Sequence, residues 1–447
     1  MNGNPVTASI ETTSAEVRRV AGDPPTVRMK LRYGVNETLG WQPFALGADR
    51  ERLWARLRDL DTQIIRIFAF SPWTPDPETS WPEFAAYIAA VLQVGAVPLI
   101  TFAKLPQALD EVGGFGRFAE RCGSVVARCI DTWGAGAVRA WWWSIGNKPN
   151  GEWAEGATFD HYRDLYLRTA TAILSRLAPH LEGQRPMIGG PGVDGFRPFW
   201  MDWIWRFVNE IDNSLIGFVA WNRHGDWRAP GTWGAPSNAR IFQRLLASRT
   251  RDYERRAQAI QRMLEGRGIL NVCSELGPHA HHEPRISRPL NQTTFGAAYY
   301  GSALVRLMRG RADAEMLWTG TDDGGPYGIM DAHGQPNPVY HAKRLCVEHV
   351  RFGDRIEFPS SKDGGPPCDM VVARGEDPQR SALIAYGGDV PATFDVSGLA
   401  GLSACSRLLT VDGEGAGIVE SPFDGTVSFR GFGVAVVTNR PKRTRRS

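Results

Sequence analysis

Short runs of apolar and β-branched residues recur along the first 350 positions, each followed by a longer stretch with a helical apolar stripe. The runs are Leu31 to Val35, Ile64 to Phe70, Val97 to Phe102, Trp141 to Ile145, Met187 to Gly189, Phe218 to Ala220, Leu270 to Ser274 and Met316 to Trp318. The amphipathic stretches between them include Glu83 to Val94, Phe118 to Trp133, Tyr162 to Leu177, Tyr253 to Glu265 and Phe295 to Arg309. Strands that alternate with helices form parallel sheets with right-handed crossovers. Eight such units predict a closed (β/α)8, or TIM, barrel.

The texture changes after about residue 352. Met370-Val-Val-Ala-Arg, Ala382-Leu-Ile-Ala-Tyr, Ser406-Arg-Leu-Leu-Thr-Val and Gly433-Val-Ala-Val-Val are separated by Gly, Pro and Asp turns. This pattern predicts a smaller antiparallel β-sandwich. The expected organisation is an N-terminal extension over 1–28, a barrel over 29–351, a sandwich over 352–440 and a basic tail over 441–447. Residues 1–30 either cap the barrel or add an edge strand to the second domain.

Composition adds little against this frame. The chain has 447 residues, 43% of them hydrophobic and 22% charged, and a net charge of +3, so no strong field points to nucleic acid. The basic tail reads as a solvated end. Six Cys lack metal-finger or Cys-x-x-Cys spacing and read as reduced thiols, so no cofactor or metal is expected. With neither a Sec-type leader nor an apolar span, a cytoplasmic location and no membrane partner are expected. The sequence says nothing of oligomeric state.

Active sites of such barrels gather at the C-terminal ends of the strands. Strand four runs into Asn147-Lys148-Pro149-Asn150-Gly-Glu152-Trp153, and strand seven into Ser274-Glu275. Retaining glycosidases place two carboxyls about 5 Å apart, one as nucleophile and one as acid/base. With Val97-Pro98-Leu99, Leu105-Pro106, Gly189-Gly190-Pro191, Leu317-Trp318-Thr319, Tyr327-Gly-Ile-Met-Asp and Gly334-Gln-Pro-Asn-Pro-Val-Tyr340, the chain resembles glycoside hydrolase family 39, in clan A. That family includes β-xylosidases and α-iduronidases.

The resemblance implies a carbohydrate partner, Glu275 as nucleophile and Asn147 on the sugar 2-hydroxyl. It puts Asn222 or His224 in the role of the family's histidine after strand six. The family's Asn-Glu-Pro motif departs here to Asn147-Lys148-Pro149, so Lys148 falls on the acid/base position.

An ammonium opposes the positive charge of an oxocarbenium-like transition state, and its pKa of about 10.4 makes it a poor acid. Opposite Glu275 it would form an ion pair and weaken the nucleophile. Glu152 or Glu155 could replace the acid. Lys148 could itself do acid/base or Schiff-base chemistry. It could bind an activated or anionic substrate, pair with Glu275 in a sugar-binding protein that does not cleave, or be an inactivating substitution in an enzyme.

Glu37, Trp153 and Trp318 lie after strands and are candidate sugar contacts, as are Trp41, Trp73, Trp221 and Trp227, with core packing the alternative. His279-Ala-His281-His282 fits no standard metal spacing, so His279 is read as a structural or substrate contact rather than a ligand.

Overall fold

A computed structural model describes residues 6–9, 27–103, 114–151, 158–359, 367–399, 401–402, 406–413 and 417–441. Eight parallel strands close into a barrel in chain order. They are β1 (Arg32–Asn36), β2 (Ile64–Ala69), β3 (Val97–Phe102), β4 (Trp142–Ile145), β5 (Ile188–Asp194), β6 (Phe218–Asp226), β7 (Leu270–His279) and β8 (Ala314–Leu317). β1 pairs with β8 and shuts the ring. The expected barrel is therefore the observed one.

The barrel interior is layered. Ile64, Leu99, Trp142, Phe218, Ala220, Val272, Ala314 and Met316 form one buried apolar cluster. Above it, toward the C-terminal ends of the strands, the interior turns polar with Asn36, Arg66, Thr101, Ser144, Asn222 and Ser274, all buried. Residues of the other parity, such as Ile65, Ile67, Ile100, Val219 and Cys273, join the larger core between strands and helices. The period of two thus assigns each strand residue to one of two cores.

β6 and β7 run past the apolar segments seen in the sequence by residues that include Asn222, Arg223, His224, Asp226, Glu275 and His279, all buried. The ladder between the two strands continues through them, so they keep the strand conformation without being apolar.

Beyond the barrel lie β9 (Arg355–Glu357), β10 (Cys368–Arg374), β11 (Arg380–Tyr386), β12 (Ala392–Asp395), β13 (Arg407–Asp412), β14 (Val419–Pro422), β15 (Thr426–Phe429) and β16 (Gly433–Thr438). One sheet has the order β9-β10-β11-β16-β13-β14, and its neighbouring strands are antiparallel. A second sheet joins β12 to β15 and to a short N-terminal strand, Val6–Ser9, which pairs parallel with β12. This is the edge strand anticipated as one option for the N-terminus.

Val371, Leu383, Ala385, Val434 and Val436 pack into the barrel-side core. Their sequence neighbours Met370, Val372, Ala382, Ile384, Ala435 and Val437 pack with Phe394, Val427 and Phe429 between the two sheets. The large sheet is apolar on both faces because both are covered. Arg306, on the barrel helix Thr294–Arg309, pins this face by ion pairs to Glu254 (2.8 Å) and Asp369 (2.5 Å).

Candidate active site

β7 carries Glu275, and a register irregularity decides where it points. The ladder runs Trp221 to Cys273 and then Asn222 to Glu275, so Ser274 is an extra residue on β7. Strict alternation would leave Ser274 inside the barrel and Glu275 among the helices. The bulge lets both turn inward. The Ser274 hydroxyl is 2.6 Å from Asn222 Oδ1.

Glu275 is fully buried. Its Oε1 accepts from Arg66 Nη1 at 3.0 Å. Its Oε2 lies 2.8 Å from Lys148 Nζ and 3.4 Å from His224 Nε2. Burial pushes the carboxyl pKa up, but Lys148, His224 and Arg66 outweigh it and hold the group well below the usual carboxylate range. Burial drives the His224 imidazole below its ordinary value, against the pull of Glu275. At neutral pH, then, His224 is uncharged and donates Nε2–H to the carboxylate. Its Nδ1 is buried without a hydrogen-bond partner among the described residues.

Arg66 is the hub. Its guanidinium also donates to Thr101 Oγ1 (2.9 Å), Asn147 Oδ1 (2.9 Å), Asn36 Oδ1 (3.3 Å) and the Ser274 carbonyl (3.3 Å). It lies over the Phe68 ring at 4.7 Å. Asn36 in turn donates to the carbonyls of Ser274, Met316 and Leu317, tying β1 to β7 and β8. Asn222 donates to Asn147 Oδ1 (3.0 Å) and to the Gly192 carbonyl (3.1 Å).

Lys148 is placed by its backbone. Its N–H donates to Gly192 O at 2.8 Å, and its carbonyl accepts from Gly151 N at 2.9 Å. Lys148 has φ +52° and Gly192 φ +64°, the left-handed region that glycine adopts without strain. Asn150 and Asp194 exchange bonds of 3.2 and 2.7 Å across the same junction. The loop after β4 is thus riveted to the end of β5. The Lys148 side chain, 26% exposed, covers a carboxylate that is only 1% exposed.

The structure therefore brings together Glu275, Lys148, Asn147, Asn222 and His224. Trp318 is half-buried nearby in the fold, its ring 6.3 Å from Phe68 and 6.4 Å from Tyr327. Trp73 and Trp227 are exposed. Trp153, Glu152 and Glu155 lie outside the described residues.

Three candidate sugar contacts are packed away from the pocket, Trp221 and His279 taking the core and structural alternatives. Trp221 is wholly buried, its Nε1 donating to Asn271 Oδ1 at 2.9 Å, and belongs to the core. His279 is buried with Nδ1 2.8 Å from Ser287 Oγ and Nε2 2.9 Å from the Arg228 carbonyl. Burial pushes its pKa down to about 4, and neither ring nitrogen is free for a sugar. Glu37 is fully buried rather than on the pocket wall. Its Oε2 takes hydrogen bonds from Thr321 (Oγ1 at 2.7 Å, N at 3.3 Å), and its Oε1 lies where a Cβ on Gly320 would sit.

Burial pushes the Glu37 carboxyl up to about 8, against its bonds from Thr321. Its pKa in the folded chain thus exceeds the unfolded value of about 4.3. Its contribution is complete below about pH 4 and is lost as pH rises through 8. Across that window the group costs about 1.4 kcal/mol of stability per pH unit. Glu37→Gln is expected to flatten that slope. Urea unfolding at pH 5 and pH 8 would check it, and an unchanged slope would mean that Glu37 is ionised in the fold.

The sequence reading missed Arg66, Asn36 and Thr101. Arg66 did leave a signal, a lone charge inside the apolar run Ile64–Ala69. Among the described residues no three His, Cys, Asp or Glu side chains are placed to share a metal. No described helix is long and apolar enough to cross a membrane.

A closed eight-stranded barrel with a β-sandwich, and a buried carboxylate at the end of its seventh strand, is the class of protein that fold and site define. No protein-family profile matches the chain. It is 22% identical over 330 residues to a β-xylosidase of Geobacillus stearothermophilus and 20% identical over 316 residues to one of Caldicellulosiruptor saccharolyticus. These alignments cover 66% and 64% of the chain, and it spans only 60% and 59% of the length of those relatives.

Among solved structures it is similar to a monomeric β-xylosidase from Caulobacter crescentus, with a TM-score of 0.63 and 16% identity over 98% of this chain and 100% of the other. A GH39 enzyme from Xanthomonas axonopodis pv. citri gives a TM-score of 0.59 and 15% identity over 98% of each chain. The chain has the barrel-and-sandwich fold of these glycoside hydrolases.

Proposed function

We propose that this chain acts on carbohydrates at a retaining-glycosidase site of the family 39 type, with Glu275 as the nucleophile. The observation that carries the reading is the buried Glu275 carboxyl at the barrel mouth, held by Arg66 within a network that includes Asn147 and Asn222. An anion fixed there can attack an anomeric carbon and form a glycosyl ester, which water then opens. Arg66 keeps it anionic. Asn147, which accepts from both Arg66 and Asn222, retains its own amide N–H groups to donate to a sugar hydroxyl. Trp318 offers a partly exposed ring. The likeness to β-xylosidases supports a glycoside as substrate class.

A second reading rests on one contact. Lys148 sits on Glu275 at 2.8 Å and covers it, which suits a protein that binds a sugar without cleaving it.

A panel of 2,4-dinitrophenyl glycosides separates the two, because their leaving group needs no acid. Turnover that falls at least about 10³-fold in Glu275→Gln is the expected result. Saturable sugar binding with no turnover, unaltered by Glu275→Gln, would establish the second reading instead.

A further inference from the structure

The partners of Glu275 pose a chemical question. Among the described residues they are a guanidinium, an ammonium and an uncharged imidazole, and none is a carboxylic acid. Among the described residues the site therefore holds two cationic side chains against one carboxylate. One of them, Arg66, is wholly buried and spent on the network. The other, Lys148, is partly exposed at the end of a side chain whose backbone is pinned on both sides.

A retaining displacement has two needs at the leaving oxygen: either a proton from an acid, or stabilisation of the oxygen as an anion. An ammonium, a weak acid that carries a full positive charge, meets the first poorly and the second well. It also has to vacate Glu275 Oε2 before that oxygen can reach an anomeric carbon. A substrate that brings its own negative charge supplies the reason for it to move.

We infer that the substrates of this site are glycosyl donors whose leaving group departs as a stable oxyanion, with a glycosyl phosphate as the defining case. Lys148 exchanges Glu275 for that oxyanion. The inference rests on the reading of Glu275 as nucleophile and names the substrate class that reading leaves open.

The step balances without an acid. A Glu275 oxygen bonds to the anomeric carbon as the bond from that carbon to the phosphate oxygen breaks. The ester reacts as its monoanion, so the bonding pair leaves on hydrogen phosphate, a dianion whose charge Lys148 faces. Water then attacks the same carbon, and the ester bond breaks to return the Glu275 carboxylate. The proton lost by water passes to the departed hydrogen phosphate or to solvent.

The test uses the sugar whose dinitrophenyl glycoside the full-length protein cleaves best. Wild type, Lys148→Met and Glu275→Gln are compared on three compounds of that sugar: the dinitrophenyl glycoside, the methyl glycoside and the 1-phosphate in the same anomeric configuration. Wild type is expected to cleave the first and third but not the methyl glycoside. In Lys148→Met the ratio of kcat/KM for the phosphate to that for the dinitrophenyl glycoside should fall at least 100-fold, because phosphate is the more highly charged.

An inert phosphate, or an unchanged ratio in Lys148→Met, would overturn the inference and leave the nucleophile standing. So would a methyl glycoside cleaved as fast as the dinitrophenyl one, since that requires an acid elsewhere. If no dinitrophenyl glycoside is turned over through Glu275, the nucleophile reading falls and this inference falls with it.

Discussion

Lys148→Glu is expected to raise kcat/KM on glycosides with poor leaving groups by at least about 10³-fold. Two effects add. Removing an ammonium from beside a developing oxocarbenium ion relieves a repulsion of about 4 kcal/mol at 4 Å and an effective dielectric of 20, which is roughly a factor of 10³. Supplying a carboxylic acid to the leaving oxygen contributes about 10²- to 10⁴-fold.

The geometry admits the change. The backbone at 148 is fixed by Gly192 and Gly151, so the new side chain starts from the same point. It is one atom shorter than lysine, whose Nζ reaches to 2.8 Å from Glu275. The two carboxyls would thus stand apart, near the 5 Å that retention requires. The Glu275 anion would raise the pKa of its new neighbour and keep it protonated, as an acid must be. Kinetics on methyl glycosides and on a disaccharide would check the gain, with Lys148→Glu/Glu275→Gln as the control that should lose it. A decrease on these substrates would show that the lysine belongs to a mechanism of its own.

The fold was legible in the sequence because barrel strands and helices differ in period and because their apolar stripes are long. The second domain was legible for the same reason, since the doubly apolar runs of β10, β11 and β16 pack on both faces. Glu275 and Lys148, which the structure brings together, were singled out by their positions after the apolar runs Leu270 to Ser274 and Trp141 to Ile145.

What was not legible depended on direction. Glu37, Trp221 and His279 all follow or end apolar runs, as site residues do, but side chains alternate along a strand and only one parity faces the mouth. Asn36, not Glu37, has the inward parity on β1, and its bonds run to Ser274, Met316 and Leu317. Strict parity would have failed at Glu275 as well, because the bulge at Ser274 resets it. No residue pattern announces that bulge in a single sequence. Arg66 was hidden differently: it looks like a flaw in an apolar strand, and its meaning appears only when β7 closes over it.

Lys343→Met is expected to lower unfolding free energy by about 3–5 kcal/mol, the usual result of stripping one partner from a buried ion pair. Lys343, on the helix Pro338–His349, is wholly buried. Its Nζ lies 2.5 Å from Glu315 Oε1, 2.9 Å from Gly34 O and 2.9 Å from Tyr300 OH. Glu315 is on β8 and Gly34 on β1, so the ammonium clasps the seam where the barrel closes. Glu315 Oε2 has no hydrogen-bond partner among the described residues, so the carboxylate depends heavily on this cation. Methionine would fill the space but leave that charge uncompensated.

Burial already raises the Glu315 pKa, against the pull of Lys343, and losing the lysine would raise it further. A carboxyl with a raised folded-state pKa loses its stabilising contribution as pH rises above the unfolded value of about 4.3. The damage from Lys343→Met should therefore be larger at pH 7 than at pH 5. The double variant Lys343→Met/Glu315→Gln should recover much of the loss, since an amide carries no charge to strand. Urea unfolding of the three proteins at both pH values would decide it. A loss under 1 kcal/mol that does not change with pH would mean that water, rather than the lysine, satisfies Glu315 at the seam.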